Sequence, residues 1–433
     1  MSARDIQTPE VSLDLFGGIL VADGGGYYPG LELMNLIYGC VEGILPTTAT
    51  PRFVWTGQDF ARRMVWDQEN FVRENFGDTP NAEISEAVSN LAHLLKCLQV
   101  DVPDRKSTNW EAAHFFPYTK SLVHWDARKG RSEGRAVQIE RRYLRGGGAL
   151  AHKVLRRDAD QDRLSSIRSG FRDLMPSDRS TPLESLAAAL AGKGSSRDAS
   201  PDEKETEATP RNDGLDELYR AGTERILSHR DLSSTSRIRA LILWTGFWLA
   251  ICQRDRASEH LGLERTPIVI DCGSGPSQLR RESARALKDV IAGIGGAVQA
   301  CLPEAETLKD RRRQDRTRQS LAGFFTRTCA WIGLLNAFKG RRFFVMKLDL
   351  LEALVLAHVP AGGEMAFENF IQVLDANYGL VIGRDSAVNA GFLNRLDGSI
   401  FEDNETSFAS QLLAAGLMHA YSDTTRMVRT KAL

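Results

Sequence analysis

The chain has 433 residues, of which 42% are hydrophobic and 26% are charged. Its 55 Lys and Arg residues nearly balance its 56 Asp and Glu residues, so the formal net charge is -1. These values are typical of a globular protein and exclude a collagenous, fully disordered or histone-like polybasic chain.

The cysteines and apolar runs predict a cytoplasmic protein with no metal site, disulfide framework or membrane segment. None of the six cysteines forms a C-x-x-C pair, which argues against a zinc ribbon, and a chain of this length can build its core without disulfides. Residues 1–10 lack the basic and apolar regions of a secretory signal. The apolar run 240–252 is too short to cross a bilayer and predicts a buried helix.

Residues 1–192 are predicted to form a helical N-terminal domain. Helical spacing of apolar residues, or a high Ala content, predicts helices over 31–45, 59–75, 82–98 and 183–190. The next segment, 193–213, lacks aromatic and large aliphatic residues and is rich in Ser, Pro, Glu and Asp. Such a segment buries too little apolar surface to offset its ordering entropy, so we expect a disordered linker.

Residues 214–342 are predicted to form a helical middle domain with one strand–turn–helix unit. The helical patterns cover 214–229, 236–252, 278–294 and 317–338, and the strand is 267–271. With the C-terminal part, 343–433, these patterns predict a mainly α fold with small β elements.

The C-terminal part, 343–433, contains three helical patterns followed by two short strands. The helical patterns cover 347–358, 366–377 and 404–415, the last with Asn404 as its N-cap. The strands, 418–421 and 427–430, are joined by a turn. Three helices followed by a two-stranded ribbon resemble a winged-helix domain.

In winged helices the third helix typically enters the major groove and the wing touches the DNA backbone. The resemblance implies base-facing positions at Glu405, Ser407 and Gln411, and backbone contacts from the wing residues Arg426, Arg429 and Lys431. The third helix contains no Arg or Lys, so bidentate recognition of guanine is not available to it. Docking of a protein partner is therefore the alternative role of this domain.

Two basic clusters predict contact with nucleic acid. Residues 128–157 contain ten basic residues against two acidic ones, with a flexible glycine run, 146–148, that suits a surface following a phosphate backbone. The predicted DNA contacts there are Arg128, Lys129, Arg131, Arg135, Arg141, Arg142 and Arg145. A smaller cluster, 309–318, adds Arg311, Arg312 and Arg313. The alternative is that these charges are solvated or paired with acidic neighbours.

The turn at 269–275 (VIDCGSG) resembles the first motif of S-adenosylmethionine-dependent methyltransferases. That resemblance implies a cofactor turn at Asp271, Gly273 and Gly275. A doubly wound sheet also needs repeated strand–helix alternation, and the flanking sequence reads as helix instead. A strand leading into a turn near a helix start is the simpler interpretation.

No Walker A lysine, nucleophile elbow or H-E-x-x-H motif is present, so we expect no cofactor, no metal and no catalytic residues. The leading hypothesis is a non-enzymatic adaptor that brings duplex DNA and protein subunits together. Its layout resembles accessory subunits of bacterial multi-gene antiphage or DNA-modification systems. The alternatives are a methyltransferase that uses the 269–275 turn and a scaffold that binds proteins alone.

Overall fold

The structure, a computed structural model, describes residues 8–57, 59–78, 81–100, 114–123, 127–128, 138–139, 144, 146–175, 181–193, 196–273, 277–421 and 425–430. Within these ranges the chain is mainly helical, with small sheets of two or three strands. The predicted fold class is therefore confirmed.

Most of the described residues lie in α-helices, and several helices begin at a polar cap residue. The Ser233 side chain caps the longest helix, and Thr307 forms a capping box with Asp310. The helices are α1 (Thr8–Phe16), α2 (Tyr28–Gly39), α3 (Asp59–Trp66), α4 (Gln68–Phe76), α5 (Ala82–Cys97), α6 (Gly147–Arg156), α7 (Gln161–Leu174), α8 (Pro182–Ala191), α9 (Glu203–Glu207), α10 (Gly214–Ser228), α11 (Ser234–His260), α12 (Ser277–Ala300), α13 (Leu308–Ile332), α14 (Leu348–His358), α15 (Phe367–Tyr378), α16 (Arg384–Asn389) and α17 (Gly398–Ala414).

Nine short strands form four small sheets within the described ranges. They are β1 (Arg52–Thr56), β2 (Ala127–Arg128), β3 (Gln138–Ile139), β4 (Ser196–Pro201), β5 (Ile268–Val269), β6 (Glu364–Ala366), β7 (Leu380–Val381), β8 (Met418–Ala420) and β9 (Arg426–Arg429). The pairs β1–β4 and β2–β3 are antiparallel, β5–β7 is parallel, and the three-stranded sheet has the order β6-β9-β8.

The helix α11 forms the centre of the main core. Residues around its whole circumference are buried, among them Trp244, Phe247 and Trp248, as expected for a helix enclosed by others. It packs against α2, α7, α10, α12, α13 and α14. None of the described helices combines the length and apolarity that crossing a membrane requires.

One apolar core joins parts of the sequence that were predicted to be separate domains. It runs from Val11 in α1, through α6 and α7, to Val428 in β9. The predicted boundaries at 192, 213 and 342 therefore do not divide the core, because α2, α6 and α14 all pack on α11. A second, smaller core lies among α3, α4, α5 and α8.

The segment 193–213, predicted to be a disordered linker, forms β4 and α9. The strand β4 pairs with β1, with Arg52 opposite Pro201. In α9 the Glu205 side chain is fully buried against α6. The linker prediction is wrong for 196–207, because the contacts that hold this polar segment come from residues far away in the sequence.

The C-terminal elements follow the predicted order, with β6, β7 and α16 inserted between the predicted ones. The helices α14, α15 and α17 precede the β8–β9 ribbon, whose strand β9 also pairs with β6. The short helix α16 lies between the second and third predicted helices. The helix α17 begins at Gly398, capped by Asp397, six residues before the predicted N-cap Asn404.

Candidate nucleic-acid interface

The first basic cluster lies largely outside the described residues. Arg128 belongs to β2, which pairs with β3, and the structure describes its backbone only. The other predicted contacts fall outside the described ranges: Lys129, Arg131, Arg135, Arg141, Arg142 and Arg145. DNA binding by these residues therefore stays a prediction.

The end of this cluster serves the fold rather than a ligand. The Arg156 guanidinium is buried and donates to Glu205 Oε1 over 2.5 Å. The Lys153 ammonium donates to the Thr206 carbonyl over 2.7 Å. These two cations fasten α9 to α6, so their charge is used within the protein.

The second basic cluster is exposed at the start of α13. Arg311, Arg312 and Arg313 lie in the first turns of this helix and face solvent. Arg311 closes the first turn of α13, and Arg312 and Arg313 lie in the second. The exposed guanidinium groups of Arg311 and Arg312 are accessible to an anionic ligand.

Gln411, predicted to face the major groove, is engaged inside the protein. Its side-chain Nε2 donates to the Cys272 carbonyl over 2.8 Å. On the same helix, Glu402 and Asp403 are exposed. Glu402 pairs with Arg384, and α17 contains no Lys or Arg, so this helix has no cation of its own for a phosphate backbone.

The wing cations have carboxylate partners. The Arg426 guanidinium lies 4.2 Å from the centre of the Phe367 ring and 2.8 Å from Glu368 Oε1. Arg429 lies 3.8 Å from Glu364. Both charges are therefore largely balanced within the domain. Residues 422–424 at the wing tip and Lys431 lie outside the described residues.

Asn404, predicted as an N-cap, is instead a buried clamp between α17 and the β5–β7 pair. Its Nδ2 donates to the carbonyls of Ile270 and Ile382, over 2.9 and 2.8 Å. Its Oδ1 accepts from the Cys272 N–H over 2.9 Å. The sequence signal for this buried role was the position of an Asn among the apolar residues of a helix. Because Asn is also a common N-cap residue, the position was interpreted as a helix start.

We expect Asn404→Ala to lower the free energy of unfolding by about 2–3 kcal/mol, because three buried backbone groups lose their hydrogen bonds. Urea unfolding followed by tryptophan fluorescence measures this. The matched control is Ser410→Ala on the same helix, whose exposed hydroxyl donates only to the Thr406 carbonyl. Equal, small effects of both substitutions would contradict the clamp.

Within the described part of the 269–275 turn, residues 269–273, the Asp271 carboxylate accepts two hydrogen bonds. Asp271 Oδ1 accepts from the Gly273 N–H over 2.9 Å, and Oδ2 accepts from Arg280 Nε over 3.0 Å. Gly273 has φ +82, the left-handed region that favours glycine, and Gly275 lies outside the described residues. Among the described strands, β5 pairs with β7 alone, so the doubly wound sheet of a methyltransferase is not found there.

A third group of cations, not predicted from the sequence, lies on α12 and in the loop 336–343. Arg281, Arg285 and Lys288 are exposed and follow helical spacing, so they share one face of α12. The helical spacing of these cations could be predicted from the sequence. The closeness of the loop 336–343 to α12 could not, because it depends on tertiary contacts.

Comparison with protein-family models, with curated proteins and with solved structures finds no match for this chain. Within the described residues, no cluster of three or more His, Cys, Asp or Glu side chains is arranged to hold a metal ion. The case for a function therefore depends on the geometry and charge described above.

Proposed function

We propose that this protein is a DNA-associated adaptor that contacts the phosphate backbone of duplex DNA and also binds protein subunits. The observation that carries the proposal is the exposed run Arg311, Arg312 and Arg313 in the first two turns of α13. In a chain of net charge -1, such a local excess is a specific feature. Arginine is well suited to phosphate because its guanidinium forms paired hydrogen bonds.

The C-terminal elements support the protein-binding half of the proposal. Three helices followed by a ribbon are the elements of a winged helix, which also occurs as a docking module. The acidic exposed positions of α17 and the paired cations Arg426 and Arg429 favour a protein partner over DNA. We propose that the partners belong to a bacterial defence or DNA-modification complex in the cytoplasm.

DNA binding is tested by fluorescence anisotropy with a labelled duplex, between about 50 and 200 mM salt. Because each phosphate contact releases counterions, we expect affinity to fall steeply over this range. We expect Arg311→Gln/Arg312→Gln/Arg313→Gln to weaken DNA binding. We also expect it to reduce the slope of log K against log salt concentration by about 2 to 3 in magnitude.

The matched control neutralises three exposed cations elsewhere, Arg172→Gln/Lys193→Gln/Arg197→Gln, and so removes the same total charge. Absence of wild-type binding at about 50 mM salt would contradict the DNA role, because nonspecific phosphate contacts are strongest there. An effect of the control equal to that of the α13 variant would contradict the role of the α13 run.

A further inference from the structure

We infer that a second phosphate-binding surface is formed by the N-terminal half of α12 and the loop 336–343, called here the α12 surface. The inference rests on the proposed function, since it assigns a further place where duplex DNA is held. Neither basic cluster singled out in the sequence includes these residues.

The first element of the α12 surface is a stripe of cations along one helix face. Arg281, Arg285 and Lys288 project to solvent on the side opposite the buried Leu279, Ala286 and Val290. The stripe spans about 10 Å, since an α-helix rises 1.5 Å per residue. Duplex DNA carries a charge about every 1.7 Å of its axis, so a rigid stripe of this length meets several phosphates.

The second element is the loop 336–343, which is followed by Phe344, whose backbone is bound by the Ser283 side chain of α12. Ser283 Oγ accepts from the Phe344 N–H over 2.7 Å and donates to the Phe344 carbonyl over 3.1 Å. Asn336 closes the loop by accepting from the Phe343 N–H over 2.9 Å. These contacts fix the chain at residues 343–344 against α12, and Arg341 and Arg342 directly precede that point in the sequence.

The charge of the α12 surface is balanced by the protein only in part, since Arg280 pairs with Asp271 over 3.0 Å. Residues 277–288 and 336–343 contain seven Lys or Arg residues and one acidic residue, Glu282. Glu282 lies 3.1 Å from Arg395, which brings a further cation to the surface. No carboxylate among the described residues lies within ion-pair distance of Arg285, Lys288, Arg341 or Arg342. This arrangement differs from that of Arg426 and Arg429, whose charges are paired.

The aromatic ring at this surface favours a duplex over a single strand. The Arg280 guanidinium lies 5.0 Å from the centre of the Phe343 ring and covers it. Proteins that hold single strands stack unpaired bases on open aromatic rings. Since this ring is already covered by a cation, the surface offers charge rather than a stacking platform, which suits the backbone of paired DNA.

The test uses the full chain and a labelled duplex at about 100 mM salt, where phosphate contacts are sensitive to charge. We expect Arg281→Gln/Arg285→Gln/Lys288→Gln to raise Kd about 30-fold and to lower the salt slope by about 2 to 3. The control Arg172→Gln/Lys193→Gln/Arg197→Gln removes the same charge, and we expect its Kd to change less than about threefold. Glutamine is close to Arg and Lys in helix propensity, so α12 is retained.

A second variant, Arg341→Gln/Arg342→Gln, changes the loop alone and gives an independent readout if the α12 variant does not fold. If wild-type protein binds DNA and both variants bind as tightly as the wild type, the α12 surface is refuted while the proposed function stands. If wild-type protein does not bind duplex at all, both proposals fail. Tighter binding to a single-stranded oligonucleotide, or to vesicles of phosphatidylglycerol, would also overturn the assignment to duplex DNA.

Discussion

Gly148→Ala is expected to lower the free energy of unfolding by at least about 3 kcal/mol, because α2 and α6 cross where no side chain fits. A Cβ atom at Gly148 would lie 2.3 Å from the Pro29 carbonyl oxygen and 2.5 Å from both Glu32 Cβ and the Leu33 nitrogen. Two of these three atoms belong to the backbone of α2. The helices must therefore separate to admit even one methyl group.

The same crossing supports the N-terminus of α6. The buried Glu32 carboxylate accepts from the Gly146 N–H over 2.7 Å and from the Gly148 N–H over 2.9 Å. A carboxylate at this end of a helix satisfies free N–H groups and matches the helix dipole. Separation of the helices lengthens these hydrogen bonds as well, which adds to the steric cost.

The control is Gly293→Ala in the middle of α12, where a Cβ atom has no neighbour within 4 Å. We expect this change to raise stability by up to about 1 kcal/mol, because Ala is the better helix former. Urea unfolding measures both variants. A Gly148→Ala protein as stable as the wild type would show that α2 and α6 can separate without loss, contrary to the close crossing.

The glycine run 146–148 illustrates how local sequence can mislead. Its composition predicted a flexible strip beside a phosphate backbone, yet Gly147 begins α6 and Gly148 is buried at a helix crossing. The requirement for glycine comes from α2, more than a hundred residues earlier. No local pattern contains that information.

Elements with regular apolar spacing were predicted closely. The helix predicted over 82–98 is Ala82–Cys97, and the one predicted over 214–229 is Gly214–Ser228. The two predicted strands of the ribbon are shifted by at most one residue at each end. In these cases the local pattern and the tertiary packing favour the same structure.

The helix predicted for α11 was too short. Charged residues interrupt its apolar pattern after residue 252, but the helix continues through them. The predicted segment stopped at residue 252, whereas α11 continues to His260. Arg254 and Arg256 are buried in that extension: Arg254 donates to the Tyr378 carbonyl over 2.8 Å, and Arg256 donates to Asp216 over 3.2 Å. Partners so distant in sequence were not predictable from α11 itself.

In the candidate site, too, local sequence predicted some features, and contacts between distant residues decided the others. Helical spacing in the local sequence indicates that the α13 arginines and the α12 stripe are exposed. Whether a cation is paired depends on the fold, as the contact of Arg426 with Glu368 shows. Charge clusters are thus visible in the sequence, while their availability to a ligand is decided by tertiary contacts.

Glu205→Gln is expected to lower the free energy of unfolding by about 3–5 kcal/mol, because it leaves the buried Arg156 without its counterion. Glu205 accepts from Arg156 Nε and Nη2, over 2.5 and 3.2 Å, and lies 3.4 Å from His152 Nδ1. This cluster joins α9 to α6. The polar segment 196–207 is therefore held in part by this buried ion pair.

The pH dependence gives a second readout of the Glu205 cluster. Burial alone would raise the pKa of Glu205, but hydrogen bonds from His152 and Arg156 outweigh it and lower the pKa to about 2. The ordinary value is 4.5, so the stabilisation is complete above that pH and is lost as pH falls towards 2. We expect the stability gap between wild type and Glu205→Gln to narrow by about 1 kcal/mol from pH 4.5 to 3.5.

The control for this substitution is Glu207→Gln, an exposed carboxylate in the same short helix. It removes an equal charge without leaving a buried cation, so we expect a change within about 0.5 kcal/mol. Urea unfolding at several pH values separates the two variants. Equal stabilities of Glu205→Gln and Glu207→Gln would show that α9 is held by something other than the buried ion pair.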